Sequence, residues 1–498
     1  MYIYRHAQSW LSSSTMVLLL ALSTQVACFG NQKVPDVKET VEMPASFATL
    51  EQQDHELQKV PLDSWCSDFN QPELDRVVNL AFEKNLNLMA SWARLEQSAA
   101  ILEQTRSNRM PQANLNANAS RSKSPAFGGQ NIPGQPTSFT NSLYRVEGTV
   151  AYEVDLWGKL AAQREAAEFD YQASRADVET AALSLTSSVA EAWFDVVAAQ
   201  QKYELIEEQI KLNERYVELL ELRFEQGLSS ILDINQQRQQ IQSLLAQQRN
   251  VEQQQVLARQ RLAVLLGATP EQAKTLFTVE GLTLPTLNTI PEVGVPADLL
   301  ERRPDLRAAS LRLEAANKRI AVAVRERLPT LQLSLSTFLQ ALELANLVND
   351  VFWSVAGAAT QPLFDGGRRR QEVVRAEAAQ KEVFYTYANT LLTALNEVQS
   401  ALVSEHYQAQ FIEDLQQQHQ IAETSLTLSR ERYQRGNFDF LRVLTALQSL
   451  QQIEQSMVDA QRLQLTNRVQ LCRALGGSWT QDLQPPKTNS SAQSSASK

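Results

Sequence analysis

Few side chains in this sequence are spaced for chemistry. Four histidines (His6, His55, His406, His419) show no metal-ligand spacing, and three cysteines (Cys28, Cys66, Cys472) are too few for a disulfide framework. A Cys66–Cys472 bridge is left open, because sequence cannot place two Cα atoms within bonding reach. There is no nucleophile beside a base, no carboxylate pair in a cleft-forming context and no phosphate loop, so the expectation is a protein without enzymatic activity, metal or cofactor. A formal charge of -10 and a pI near 5.2, with no long Lys/Arg block, argue against a nucleic-acid surface.

One thiol has a context. Arg5 and His6 precede the apolar run from Met16 to Leu22, then the small and polar stretch from Ser23 to Ala27, then Cys28. Charged, apolar, cleavable is the order of a secretory signal, and the apolar run is too short for a bilayer core of roughly 30 Å. Val26-Ala27-Cys28 resembles the lipobox of bacterial lipoproteins, in which the cysteine sulfur receives diacylglycerol and the new amino terminus an acyl group. Gln25 stands where lipoboxes usually carry Leu, so ordinary signal-peptidase cleavage is the plainer alternative. Phe29 rather than Asp after the cysteine implies, by the same resemblance, passage to the outer membrane. Acyl chains contribute about 0.8 kcal/mol per buried CH₂, enough for a lasting anchor.

The elements that follow come in two copies. Arg223-Phe224-Glu225-Gln226-Gly227 echoes Arg432-Tyr433-Gln434-Arg435-Gly436, and Leu265-Leu266-Gly267 echoes Ala474-Leu475-Gly476, both 209 residues apart, as are Gly158 and Gly367. Upstream, Asn85 to Pro111 parallels Arg303 to Pro329 at an offset of 218, so extra loop belongs to the first copy, where the breaker-rich stretch from Ser124 to Pro136 reads as solvent-exposed. No proline occurs between Pro136 and Pro270 or between Pro362 and Pro485, and internal glycine is confined to Gly227 and Gly436. That pattern predicts a very long antiparallel helical hairpin in each unit, turning at those glycines. The first arm, Gly158 to Gly227, would run on the order of 100 Å at ~1.5 Å per residue. Leu205, Leu212, Leu219 and Leu222, and Leu441, Leu444 and Leu447, recur as in a coiled-coil seam.

Four strands are expected, at Gln112 to Arg121, Leu143 to Glu153, Leu331 to Gln340 and Val351 to Leu363. Tyr144, Val146, Gly148, Val150 and Tyr152 alternate with Arg145, Glu147 and Thr149, and Leu331, Leu333 and Leu335 alternate with Gln332, Ser334 and Ser336. Alternation over roughly 10 residues fits a barrel strand, apolar to lipid and polar to a lumen. A soluble antiparallel sheet is the plainer reading of any single strand. About four strands cannot close a barrel, and open edges are excluded from hydrocarbon, so copies must combine; three would give about twelve strands and a passage.

These residues resemble the outer-membrane factor family, the TolC/OprM type, and in particular its lipoprotein branch. The resemblance runs from Trp65-Cys66-Ser67-Asp68-Phe69-Asn70-Gln71-Pro72 through Leu300-Glu301-Arg302-Arg303-Pro304-Asp305 to Pro362-Leu363-Phe364-Asp365-Gly366-Gly367. It implies a mainly helical, internally duplicated fold in which long hairpins form an α-barrel, four strands per chain contribute to a trimeric twelve-stranded outer-membrane β-barrel, and a girdle surrounds the middle. It also implies a periplasmic membrane-fusion adaptor and an inner-membrane pump, of RND or ABC type, as partners. The turns Gly227-Leu228-Ser229 and Gly436-Asn437-Phe438 then lie at the periplasmic tip as adaptor contacts, although a hairpin needs such glycines in any case. Just beyond them the family closes the tip with side-chain rings. Asp233 and Arg442 occupy equivalent places and are expected to pair; Leu441 fits an apolar constriction or, equally, plain seam packing. Thr445 stands where some relatives carry an aspartate, so an acidic cation-binding ring is not expected.

The expected organisation is a signal peptide (1–27), a lipid-anchored segment (28–70), a first repeat (71–270), an equatorial connector (271–296), a second repeat (297–478) and a low-complexity tail (479–498). The expected work is passive conduction of small molecules across the outer membrane as one component of a tripartite efflux system. A type I protein-secretion exit duct and a non-porous periplasmic coiled-coil scaffold lipoprotein are the alternatives.

Overall fold

The computed structural model describes residues 69–125, 138–287, 296, 299–477, 480 and 483–485. The signal segment, Cys28, Cys66, residues 126–136 of the expected loop and the tail beyond 485 lie outside the described residues. Helices α1 (Pro72–Lys84) and α2 (Leu86–Ser107) lead into strands β1 (Gln112–Pro125) and β2 (Ser138–Val154). The hairpin α3 (Lys159–Glu225) and α4 (Ile231–Leu265) follows, then the short α5 (Pro270–Leu276) and α6 (Leu299–Arg302). The pattern then repeats as α7 (Pro304–Arg325), β3 (Thr330–Ala341), β4 (Val351–Thr360), α8 (Arg368–Gln434) and α9 (Phe440–Leu475). The two long arms have 67 residues each, and their returning arms have 35 and 36. A returning arm therefore covers about half of its partner, and the other half is covered by the short helices: α2 and α7 on α3, and α7 on α8.

Helix starts are fixed by carboxylates. Asp155 accepts from the backbone N–H groups of Leu160 (3.0 Å) and Ala161 (2.8 Å), and Asp365 from those of Gly367 (3.0 Å) and Arg369 (3.2 Å). These bonds satisfy donors that the first turn leaves open and place negative charge at the positive end of each helix. The Asp-Gly-Gly of the sequence motif is thus a helix start. Arg303 of Arg-Arg-Pro-Asp is buried and bonds Asp305, Glu397 of α8 (2.8 Å) and the carbonyl of Ala474 (3.1 Å), bolting the head of α7 to the α8–α9 pair. Gly267 and Gly476 close the two returning arms with positive φ, where a Cβ would fall 2.2 Å from the Lys84 carbonyl oxygen and 2.8 Å from that of Arg302.

The apolar core sits around the middle of α3. Trp193 and Phe194 are fully buried there among Phe69, Leu74, Leu262, Phe277 and Leu465. The Trp193 indole N–H donates to Gln71 Oε1 at 2.8 Å, so the one polar atom of the largest core side chain is satisfied. Toward the turns the packing changes character. Gln209 donates to Glu454 (2.8 Å) and accepts from Gln455 (2.9 Å), Gln237 donates to Asn213 (2.7 Å), and Gln448 to Gln240 (2.7 Å). These amides are interleaved with apolar clusters, Ile206, Ile210, Leu244 and Val251 in one and Leu220, Phe440, Leu444 and Leu447 in another, so the tip half is held by apolar burial and amide bonds together.

Two expectations need correction. Leu212, Leu219 and Leu222 are exposed, as is Leu441; the buried stripe of α3 is Ile206, Ile210, Tyr216 and Leu220, because the arm meets α4 on one side and α9 on another rather than a single coiled-coil partner. β4 stops at Thr360 rather than Leu363, since Pro362 has no N–H to offer and disfavours continuation before it. β1 and β2 exceed their expected spans, pairing out to Pro125↔Ser138. Cys472 is buried in α9.

Arg468 of α9 reaches the buried Glu405 of α8 at 2.5 Å, while burial pushes the Glu405 carboxyl up against the pull of that guanidinium. The first repeat has Val196 at the matching position, fully buried. Glu405→Val alone is expected to lower stability by about 3–5 kcal/mol by stranding Arg468, whereas Glu405→Val with Arg468→Leu should cost under about 1 kcal/mol. Thermal unfolding of the detergent-purified protein distinguishes the two, and equal losses would contradict the account.

Candidate channel surfaces and hairpin tips

The four strands form one antiparallel sheet in the order β1-β2-β3-β4. Its register gathers the alternating residues of all strands onto two unlike faces. Leu115 opposes Gly148, Val150 opposes Leu335, and Leu335 opposes Val355, so one face carries Leu115, Val146, Val150, Leu333, Leu335, Trp353 and Val355. No core lies behind it: Leu115 is 77% exposed, Trp353 73% and Val355 69%. The opposite face is Asn114, Asn116, Asn118, Glu147, Ser334 and Ser354, where Arg145 pairs with Glu147 (3.0 Å) and lies 4.1 Å over the Phe338 ring, and Ser336 bonds Ser354 (2.8 Å). β1 and β4 each keep one edge unpaired within the chain.

Below the sheet, α2, α3, α7 and α8 line a concavity of about 510 Å³. Repeat counterparts line it together: Thr105 with Ala323, Asn108 with Glu326, and Gln163 with Glu372. The two repeats therefore turn the same faces inward, and these faces mix polar with small side chains. Burial pushes the Asp170 carboxyl up here, opposed by Arg319 beside it.

At the far end the two turns share a backbone and differ in side chains. Gly227 (φ 74°) and Gly436 (φ 72°) hold positive φ, and the N–H groups of Leu228 and Asn437 return to the carbonyls of Arg223 (2.8 Å) and Arg432 (3.0 Å). Leu228 is 58% exposed, and Ser229 donates to the Leu220 carbonyl at 3.0 Å. Asp233 accepts from the Ser230 N–H at 3.0 Å, closing a capping box. In the second turn Phe438 lies between Arg432 (5.2 Å) and Arg442 (4.8 Å), two cation–π contacts. The expected Asp233–Arg442 pair is not formed within the chain, because Asp233 caps its own helix and Arg442 lies over Phe438 with Asp439 at 3.9 Å. Leu441 is 49% exposed, Arg442 and Thr445 are exposed beside it, and Thr445 bonds back to the Leu441 carbonyl at 2.8 Å. Sequence reading missed the cluster that joins the two hairpins, Arg223 over Tyr433 (4.8 Å), Tyr433 against Phe440 (5.6 Å) and Phe440 against Tyr216 (6.5 Å). Its only trace in the sequence is an aromatic at the same height on three helices.

Among the described residues no helix is long and apolar enough to cross a membrane, and no acidic, His and Cys group could hold a metal ion. A family model for outer membrane efflux proteins matches residues 77–268 and 295–477. The pyoverdine export outer membrane protein OpmQ of Pseudomonas putida is 30% identical over 430 residues, covering 85% of this chain and 90% of that protein. The outer membrane protein VceC of Vibrio cholerae superimposes with a TM-score of 0.76 at 27% identity, over 84% of this chain and all of that one. The outer-membrane channel OprN gives a TM-score of 0.80 at 24% identity, over 90% and 99% of the two chains. Fold and surfaces together define an outer-membrane channel protein. The chain belongs to the outer membrane efflux protein family, as the channel component of an efflux system.

Adjacent β4 residues test the assignment of faces. Val355→Lys, on the apolar face, is expected to destabilise the membrane-inserted state by about 2–4 kcal/mol, whereas Ala356→Lys, on the polar face, should cost no more than about 1 kcal/mol. Folding equilibria in lipid vesicles measure both, and the reverse order would show the faces to be exchanged.

Proposed function

We propose that three copies close into a twelve-stranded β-barrel in the outer membrane, continued by a helical duct, and that the assembly passively conducts small molecules. The observation that carries this reading is the sheet with one bare apolar face and two open edges. Lipid accepts the first and excludes the second, so insertion requires neighbouring copies. Conduction of this kind needs no catalytic group, and the energy comes from the inner-membrane pump, RND or ABC in type, through a periplasmic membrane-fusion adaptor. Relatives named for export of pyoverdine and for efflux of toluene and solvents favour small-molecule cargo over a secreted protein.

The adaptor meets the turns at Gly227-Leu228-Ser229 and Gly436-Asn437-Phe438. Leu441, Arg442, Thr445 and Asp233 lie close behind them and form the constriction. An adaptor that binds the open state more tightly shifts the population toward it. Cys28 carries diacylglycerol and an N-acyl chain, which anchor the protomer to the outer membrane.

Purified protein in a planar bilayer should give discrete single-channel currents. Absence of current from correctly folded protein would favour the non-porous scaffold, and a strictly monomeric folded state in detergent would end the duct reading. Deletion of the gene should sensitise cells to small toxic compounds; loss of a secreted protein instead would favour the secretion duct. Leu228→Glu should weaken adaptor binding about tenfold, about 1.4 kcal/mol, without altering the conductance. Mass spectrometry of the mature amino terminus decides acylation at Cys28.

A further inference from the structure

Within the chain the two repeats are joined by a row of ion pairs. Along the α7–α3 contact, Lys318 meets Glu165 (2.8 Å), Arg307 meets Glu179 (2.9 Å), and Arg319 and Arg312 meet Asp170 and Asp177. Along the α9–α3 contact, Lys202 meets Asp459 (2.7 Å) and Arg462 meets Asp195 (2.9 Å). The duplication supplies a counterpart for every one of these positions. Helices α2 and α7 correspond end to end at an offset of 218, and α3 and α8 at 209. The α7–α3 joint therefore has an unused equivalent, the face of α8 set against α2 and α4 of another copy.

At that equivalent joint the ion pairs are gone. Lys318 and Glu165 become Ala100 and Val374, Arg319 and Asp170 become Ile101 and Ala379, Arg307 and Glu179 become Met89 and Ala388. Arg312 and Asp177 become Arg94 and Thr386, Lys202 and Asp459 become Phe411 and Asn250, and Arg462 and Asp195 become Gln253 and Ser404. None of the six can form an ion pair. Ala388 is buried within the chain, but much of these faces lies bare: Ile101 is 56% exposed, Val374 50% and Phe411 50%. Leu183 is buried, whereas its counterpart Leu392 is 53% exposed.

We infer that charge sorts the two joints, an ionic one closing each chain on itself and an apolar, neutral one joining each chain to a second copy. Seating a second α2 in place of α7 on the acidic face of α3 would leave its carboxylates unpartnered, and turning the basic face of α7 to the neutral face of α8 would do the same to its cations, so each wrong pairing of faces is disfavoured as the right one is favoured. The contact is head-to-tail and, repeated, closes a ring. The sheet edges belong to the same seam, since α2 leads to β1 and β4 leads to α8. The internal pair Val150↔Leu335 then fixes the copy-to-copy register, with Ala359 of β4 opposite Ala117 of the next β1. This rests on the proposed assembly and adds the chemistry and register of its seam.

The test uses the full chain purified in detergent, with the unsubstituted protein as a blank for its native cysteines. Treated with a short bis-maleimide, Ala100→Cys/Val374→Cys should give covalent oligomers, and Glu165→Cys/Lys318→Cys only a linked monomer. Ala117→Cys/Ala359→Cys should form inter-copy disulfides on oxidation, which keeps the test alive if a helix variant fails to fold. Links at monomer mass alone, or none in protein that native mass shows to be assembled, would overturn the seam while leaving the channel reading in place; protein monomeric throughout would overturn both. Val374→Glu should lower the assembled fraction at least fivefold, and adding Ala100→Lys should restore it. The unsubstituted assembly should change less than twofold on raising salt to ~1 M, where the screening length is about 3 Å; dissolution by salt would refute a neutral seam.

Discussion

Everything in this structure depends on a sheet that cannot be finished by one chain. Its apolar face has no core behind it, and its outer strands offer rows of unpaired N–H and C=O groups. Water makes the face costly and hydrocarbon makes the edges costly, so neither solvent accepts the sheet alone. The 67-residue arms set the reach, the buried centre around Trp193 packs α3 against α1, α4 and α9, and exposed turns end the arms.

The packing changes in kind along the arms. The middle of α3 is buried as alanine, valine and aromatic side chains, with the indole N–H satisfied by Gln71. The tip half adds the amide bonds of Gln209, Gln237, Gln448 and Gln455 to apolar clusters that include Leu244, Leu444 and Phe440. The motifs that carry the family likeness do different work: Asp365 starts a helix, and Arg303 bolts three helices together. Resemblance in such residues reports a shared scaffold, whereas cargo depends on a passage whose walls need not grip anything.

Duplication followed by divergence explains why the two halves are alike in backbone and unlike in charge. The turns superimpose in their hydrogen bonds, but one is capped by Ser230 and Asp233 and the other holds Phe438 between two arginines. The joint inside the chain has ionic partners, and the counterpart positions lack such pairs. One polypeptide can then hold two copies of a unit without the copies competing for the same neighbour.

The sequence by itself determined the duplication, the two long arms with their turns at Gly227 and Gly436, and the in–out alternation of the strands. The duplication follows from comparing the chain with itself, and the other two from local rules, the exclusion of proline and glycine from helices and the two-residue period of a strand. Only the tertiary structure decided which stripe of α3 is buried, Ile206 and Leu220 rather than Leu212 and Leu219, because that depends on having two neighbours at once. It decided that Asp233 caps its own helix and that Arg442 turns to Phe438, since a nearby backbone N–H or ring outcompetes a distant charge. It also decided the register that gathers Leu115, Val150, Leu335 and Val355 onto one face, because pairing is set between strands far apart in the chain, where no local period reaches.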